Sequence, residues 1–285
     1  MEKILRLYNN IGDNKSENIV DAVLKNDCIY VINYFERGND INIVDKKKEN
    51  LLHKAARNDN YEIVDLLIKL GVSINEKNSH GDTPLHLAVQ FKNSETVEKL
   101  IFEGALINIE NKIKMSPLHL AASIGDEHII SMLLDHGARI NACDENGMHP
   151  IHYAVKSGKK TVIRTLLDCG ASLVECDYRK NNVLHHACEN GDDDLVVYIL
   201  RHTMIIDSRN IYGQTPLHLA AINCSIKGIN ALIQAGSNLE LKDSNQMTPY
   251  KLALSNSKEE NANFIMEYQN SSEYRRKFSK YKIPR

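Results

Sequence analysis

The sequence predicts an all-α solenoid of about eight stacked helix-turn-helix units with protruding β-hairpin loops between them. Three observations predict it. Five of the six prolines, Pro84, Pro117, Pro150, Pro216 and Pro249, fall at intervals of 33, 33, 66 and 33 residues. In the same register alanine stands at Ala22, Ala55, Ala88, Ala121, Ala154, Ala187, Ala220 and Ala253. Histidine recurs at His53, His86, His119, His152, His185 and His218, and glycine at Gly38, Gly71, Gly104, Gly137, Gly170 and Gly236. A fixed period of this length marks one supersecondary unit copied along the chain.

Each slot has a mechanical reason. Thr83-Pro84 opens a helix: the hydroxyl can cap it, and proline takes the first helical position, whose amide lacks an intrahelical partner anyway. Asn50, Ser116, Asn182, Thr215 and Thr248 fill the same capping slot, and His149 is the poor cap of the series. Leu85, Leu87 and Ala88 give the first helix an apolar face, and the recurring alanine predicts a point where neighbouring helices approach closely. Val97, Leu100 and Ile101 do the same at helical spacing for the second helix. Glycine follows, where the residue past a helix end often needs a positive φ. The Asn-, Asp- and Gly-rich string Ile140 to Gly147 closes the unit as a tight turn. Units this small cannot bury their own faces, so they must stack.

The strings GDTPLHLA, MSPLHLAA, QTPLHLAA and HGARINACDENG resemble the ankyrin repeat, whose pattern includes T-P-L-H-x-A at a period of about 33. The organisation expected is an N-terminal extension (1–11), a degenerate capping repeat (12–44), and six repeats at 45–77, 78–110, 111–143, 144–176, 177–209 and 210–242. A C-capping repeat (243–268) and a basic tail (269–285) complete it. Repeat six departs most, with Lys180, Val183 and Thr203 where glycine, proline and glycine are usual.

Composition narrows the function classes. The N-terminus lacks the continuous apolar core of a secretory signal, and no stretch approaches a membrane span, so no membrane insertion is expected. Six scattered cysteines without a CxxC pair predict free thiols and a cytoplasmic setting, with the nucleus as an alternative. Residues 269–285 carry six Lys/Arg against one Glu, which leaves the rest of the chain at net −7, a poor collector of nucleic-acid phosphates.

One histidine per repeat predicts a structural ladder rather than a metal site, which needs ligands converging on one point. No glycine-rich phosphate loop, HExxH or GxSxG occurs, so no catalytic residue, metal or cofactor is expected. The ankyrin resemblance implies that partners bind at the loop tips and the exposed face of each first helix. Mapped here, those slots give Phe91, Ile113, Met115, Ile124 and Met148 as apolar residues at positions expected to be wet, and Tyr178, Arg179, Ile211 and Tyr212 at further tips. The resemblance also implies possible asparagine hydroxylation at Asn42, Asn75, Asn108 and Asn141.

The expected function is a non-enzymatic adaptor or inhibitor, acting as a monomer, that holds another protein in a concave groove. Thirty Asn and thirty Ile give the chain a composition that resembles the ankyrin proteins of poxviruses (avipox-like) and of some intracellular bacteria, which implies a host or cellular protein as partner. Those proteins commonly end in an F-box-like segment that engages a cullin ligase. The residues after Tyr268 contain Ile283-Pro284 and no apolar helical run, which favours sequestration over a ligase receptor.

Overall fold

The computed structural model describes residues 16–271; the expected N-terminal extension and residues 272–285 of the basic tail lie outside the described residues. Among the described residues the chain forms sixteen α-helices in eight consecutive pairs and no strand. They fall into two compact units that meet in sequence between Glu145 and Asn146.

Unit 1 contains α1 (Ile19–Leu24) and α2 (Cys28–Glu36), α3 (Leu51–Arg57) and α4 (Tyr61–Lys69), α5 (Pro84–Gln90) and α6 (Ser94–Phe102), and α7 (Pro117–Ile124) and α8 (Glu127–Asp135). Unit 2 contains α9 (Pro150–Ser157) and α10 (Lys160–Asp168), α11 (Val183–Asn190) and α12 (Asp193–Leu200), α13 (Pro216–Asn223) and α14 (Ile226–Ala235), and α15 (Pro249–Ser255) and α16 (Glu259–Asn270). Within each unit first helices pack on first helices and second helices on second helices, as α3 does on α5 and α12 on α14.

The repeating alanines sit where these first helices cross. All eight, from Ala22 to Ala253, are fully buried. A longer side chain there would overpack the contact, at a cost of roughly 1–3 kcal/mol. The β-branched column of the second helices, Val31, Val64, Val97, Ile130, Ile163, Val196 and Ile229, is equally buried. Gly71 and Gly104 follow α4 and α6 at φ +89° and +87° with open space where a Cβ would stand, so backbone conformation alone selects glycine there.

The loops between helix pairs are narrow turns closed by a side chain. At Asn78 the backbone N–H donates to the Asp82 carbonyl (2.9 Å), while Oδ1 accepts from the N–H groups of His80 (2.8 Å) and Asp82 (3.0 Å). Asn111 repeats the arrangement, its Oδ1 accepting from Ile113 and Met115. Successive tips are joined by single backbone bonds. In unit 1 these run from Ser79 to Lys47 (2.7 Å) and Lys112 to His80 (2.9 Å); in unit 2, from Tyr178 to Asn146 and Ile211 to Arg179 (both 2.9 Å). The positive-φ position of the turn is held by glycine at Gly81, Gly147 and Gly213 and by lysine at Lys48, Lys114 and Lys180, so Lys180 is not peculiar to repeat six.

The histidines form the expected ladder. The Nδ1 atoms of His86, His119, His152 and His218 accept from the backbone N–H of the residue that opens their own helix, at 2.9–3.2 Å. On the far side of the ring, Nε2 of His53, His86, His185 and His218 meets the carbonyls of Asp82, Met115, Gln214 and Met247 in the following repeat, at 3.0–3.1 Å. An Nδ1 that accepts and an Nε2 that faces a carbonyl require the neutral ring with its proton on Nε2. A second stitch comes from buried Asn93, whose Nδ2 donates to the carbonyls of Ala56 (2.7 Å) and Arg57 (3.0 Å) at the end of α3. Asn261 caps the α13 end in unit 2 in the same manner.

Two predictions follow from this bonding. Asn93→Ala leaves two helix-end carbonyls without their donor and should lower unfolding free energy by roughly 1–3 kcal/mol, read as a reduced urea midpoint at unchanged slope. The second concerns pH. Burial lowers the pKa of His53, His86 and His218, pushes His185 down to about 4, and, together with the neighbouring His186 and His149 rings, pushes His152 down to about 3. A folded-state pKa below the unfolded value of about 6.5 gives stability that is complete above pH 6.5 and lost as pH falls toward the folded value. His152 alone should cost about 2 kcal/mol between pH 7 and pH 5. Urea unfolding at the two pH values checks this, and equal stabilities would contradict it.

Candidate functional site

The loop tips and first helices of unit 1 enclose a cleft of about 550 Å³. Its construction starts with Glu49, which is buried and holds the Arg57 guanidinium through Nη2 (2.6 Å), with Lys54 as its second cation at 3.7 Å. Arg57 ends α3, and its guanidinium carbon stands 5.4 Å over the centroid of the Phe91 ring. Phe91 follows α5, whose start is fixed by Thr83 and Pro84, and remains 47% exposed. The ion pair and the ring form a stack, so the aromatic group is held in place before any ligand arrives. Ile113, exposed at the next tip, lines the same cleft with Met115, Leu87 and Leu120, and Lys47, His80 and Lys112 stand at its edge.

Four of the expected contact residues lie in unit 1, and the structure separates them. Phe91 and Ile113 are exposed and share the cleft. Ile124, at the end of α7, is half-buried and is not among the cleft-lining residues. Met115 is 7% exposed, which corrects the expectation that it is wet. Its carbonyl receives His86 Nε2 and its amide donates to Asn111 Oδ1, and its side chain lines the cleft beside Leu87 and Leu120. Met148 occupies the same repeat slot and is likewise buried, at 8%.

In unit 2 the remaining tip residues are exposed as expected. Tyr178, 68% exposed, seats its ring against Gly147, and Arg179, Ile211 and Tyr212 are exposed beside it along the tip-to-tip backbone bonds. Beneath Tyr178 is a buried polar cluster. Burial would raise the Asp177 pKa, but hydrogen bonds from His186 Nε2 (3.1 Å) and from the Asn181 amide (2.8 Å) outweigh it and hold the carboxyl at about 2. His186 stands where Leu87, Leu120 and Leu219 occur in other repeats, so repeat six trades an apolar contact for a buried hydrogen bond under its tip.

Two of the asparagines singled out for hydroxylation serve the stack. Asn75 Oδ1 accepts from the Leu106 amide (2.9 Å) and Asn108 Oδ1 from the Arg139 amide (2.8 Å), while Asn42 is exposed and its backbone N–H donates to Asp40 Oδ1 within its own turn. Asn141 is exposed. Cys143, Cys169 and Cys176 are exposed free thiols and Cys28, Cys188 and Cys224 are buried ones. Burial pushes Cys28 up to about 12, the direction opposite to an activated nucleophile. Among the described residues no group of three or more His, Cys, Asp or Glu converges as a metal site would require, and no helix is long and apolar enough to cross a membrane.

Sequence reasoning overlooked Glu49, Arg57 and Lys47 in the cleft. A signal existed: Glu49 and Arg57 sit eight residues apart around α3, but only the fold shows that the pair turns toward Phe91.

These features define a helical-repeat scaffold that fixes its loops by backbone and side-chain bonds and leaves the tips free to vary. A family model described as ankyrin repeats (3 copies) matches residues 19–111, 88–177 and 172–243. The chain belongs to the ankyrin-repeat family, whose members' repeats mediate binding to other proteins. No curated protein matches the chain.

The seating of Tyr178 can be tested directly. Gly147 has φ +74°, and a Cβ added there would lie 2.5 Å from the Tyr178 ring. Gly147→Ala should therefore cost roughly 1–3 kcal/mol and shift amide resonances at both the 147 and 178 tips. Unperturbed resonances at residues 178–180 would show that the ring does not depend on this contact.

Proposed function

We propose that the chain is a non-enzymatic adaptor or inhibitor that sequesters another protein, with the unit 1 cleft as its anchor point. The observation that carries this reading is the stack of Glu49, Arg57 and Phe91: an aromatic ring under a guanidinium that buried Glu49 holds, exposed beside Ile113 in a cleft of about 550 Å³. A rigid aromatic anchor with an arginine beside it is the composition of interface hot spots. Tyr178, Arg179, Ile211 and Tyr212 supply a second set of exposed contacts on unit 2. Tyrosine and arginine at tips bury large area for little lost freedom. The Asn- and Ile-rich composition supports a host protein as the captured partner in a cytoplasmic or nuclear setting.

The test is affinity purification of the full chain from host cells beside a Phe91→Ala/Ile113→Ala variant. Both side chains are exposed, so the melting temperature should stay within about 2 °C of the parent. Met115 is left intact because its burial would confound binding with stability. One stoichiometric, non-ligase partner should be retained by the parent and lost by the variant. Cullin components in the parent eluate would replace the sequestration reading with the ligase one, and a partner retained equally by both proteins would remove the cleft from the interface.

A further inference from the structure

The second helices of unit 1 carry a feature that stacking does not require. Phe102, the last residue of α6, stands in a slot held by Lys69, Asp135, Asp168, Arg201 and Gln234 in other repeats. Its ring is 82% exposed. Tyr61, at the start of α4, is also exposed, and the two rings line an open cleft of about 480 Å³ with Glu95, Glu98 and Lys99. None of these positions belongs to the loop-tip cleft.

The site already shows which chemistry its rings accept. The Lys99 ammonium lies 5.9 Å from the Tyr61 centroid and 5.8 Å from that of Phe102, within cation–π range of both. Its charge is spoken for: Asp65 Oδ1 stands at 2.5 Å and Glu103 Oε1 at 2.7 Å. Glu95 and Glu98 differ in this respect. Both are exposed, and neither has an ion-pair partner among the described residues. Glu95, Glu98 and Phe102 are spaced three and four apart on α6, so they share one face of the helix. Counting both helices, Glu62, Asp65, Glu95, Glu98 and Glu103 exceed Lys69 and Lys99, which leaves this face acidic.

We propose that this cleft is a second interaction surface, on the face opposite in chemistry to the lysine-edged loop tips, and that it takes arginine side chains from a basic segment of another protein. Arginine fits better than lysine. Its planar guanidinium can lie on an exposed ring face while its fork donates to the Glu95 or Glu98 carboxylate, whereas an ammonium is more strongly hydrated and presents no plane. The two carboxylates supply the attraction that Lys99, already neutralised, does not oppose.

The probe is a fluorescein-labelled hexa-arginine peptide, titrated against the full chain by fluorescence anisotropy at low ionic strength, with hexa-lysine as its companion. Phe102→Ser and Glu95→Gln/Glu98→Gln should each weaken arginine-peptide binding about tenfold, with melting temperatures unchanged because all three side chains are exposed. The Phe91→Ala/Ile113→Ala variant should bind the peptide as the parent does, and so should Glu259→Gln/Glu260→Gln, which removes the same charge from α16. Equal affinity of the parent and the Phe102 variant would overturn the proposal. So would equal loss in the α16 variant or equal affinity for lysine and arginine, each of which reduces the effect to general attraction by an acidic protein.

Discussion

A helix pair of this size exposes as much apolar surface as it hides, and the stack exists because each pair lends its neighbour the missing wall. The alanine column lies within that contact, fully buried at every repeat from Ala22 to Ala253. Backbones that approach so nearly bring polar groups with them: the carbonyls at the ends of first helices and the peptide groups of the loops between pairs. Burying these without partners would cost more than the apolar contact returns. The histidine ring resolves the problem at one end, accepting at Nδ1 from the start of its own helix and meeting a neighbour's carbonyl at Nε2. Asn93 and Asn261 resolve it at the other. Apolar stacking and polar stitching are therefore one constraint, and the neutrality of the histidines is its condition.

The same stitching decides what is left for function. Met115, whose backbone is fastened by His86 and Asn111, is covered, while Ile113, two residues earlier, is exposed. The tips are held to one another by single backbone bonds that leave every tip side chain unconstrained in identity. Lysine at φ +58° in Lys114 and Lys180 and glycine at the equivalent Gly81, Gly147 and Gly213 show how much variation the turn accepts. At this turn slot glycine is required where another group closes over it, as Tyr178 does over Gly147 and the Lys112 backbone over Gly81.

The repeating slots were legible in the sequence because each answers a local demand: proline at a helix start, glycine past a helix end, alanine at a crossing. What the sequence concealed were relations between repeats. Nothing local in the sequence joins Glu49 and Arg57 to Phe91, and only the fold sets the guanidinium over its ring. Met115 and Met148 read as exposed because a turn sequence does not say which of its residues faces the helix beneath. Asn93 carries no local mark of its role, because its two acceptors lie 37 and 36 positions away. His186 offered a sharper signal, standing among Leu87, Leu120, Tyr153 and Leu219 in its column, but its partner Asp177 sits in a loop and pairing across that turn is a property of the folded backbone.

The departures from the repeat carry the functional argument. Selection for stacking alone would leave a charged or polar residue at the end of each second helix, as it does at Lys69, Asp135 and Asp168, because an apolar group there gains no burial. Phe102 stands in that column fully formed and mostly uncovered, with Tyr61 across from it and two unpaired carboxylates beside it. Phe91 departs in a different manner, since the Glu49–Arg57 pair is spent on holding its ring in place. One unit thus holds two aromatic features in opposite electrostatic settings, lysine-edged at the loop tips and acidic on the second helices. A scaffold that binds a single surface needs only one of them, and two settings of opposite sign favour partners, or parts of one partner, of opposite charge.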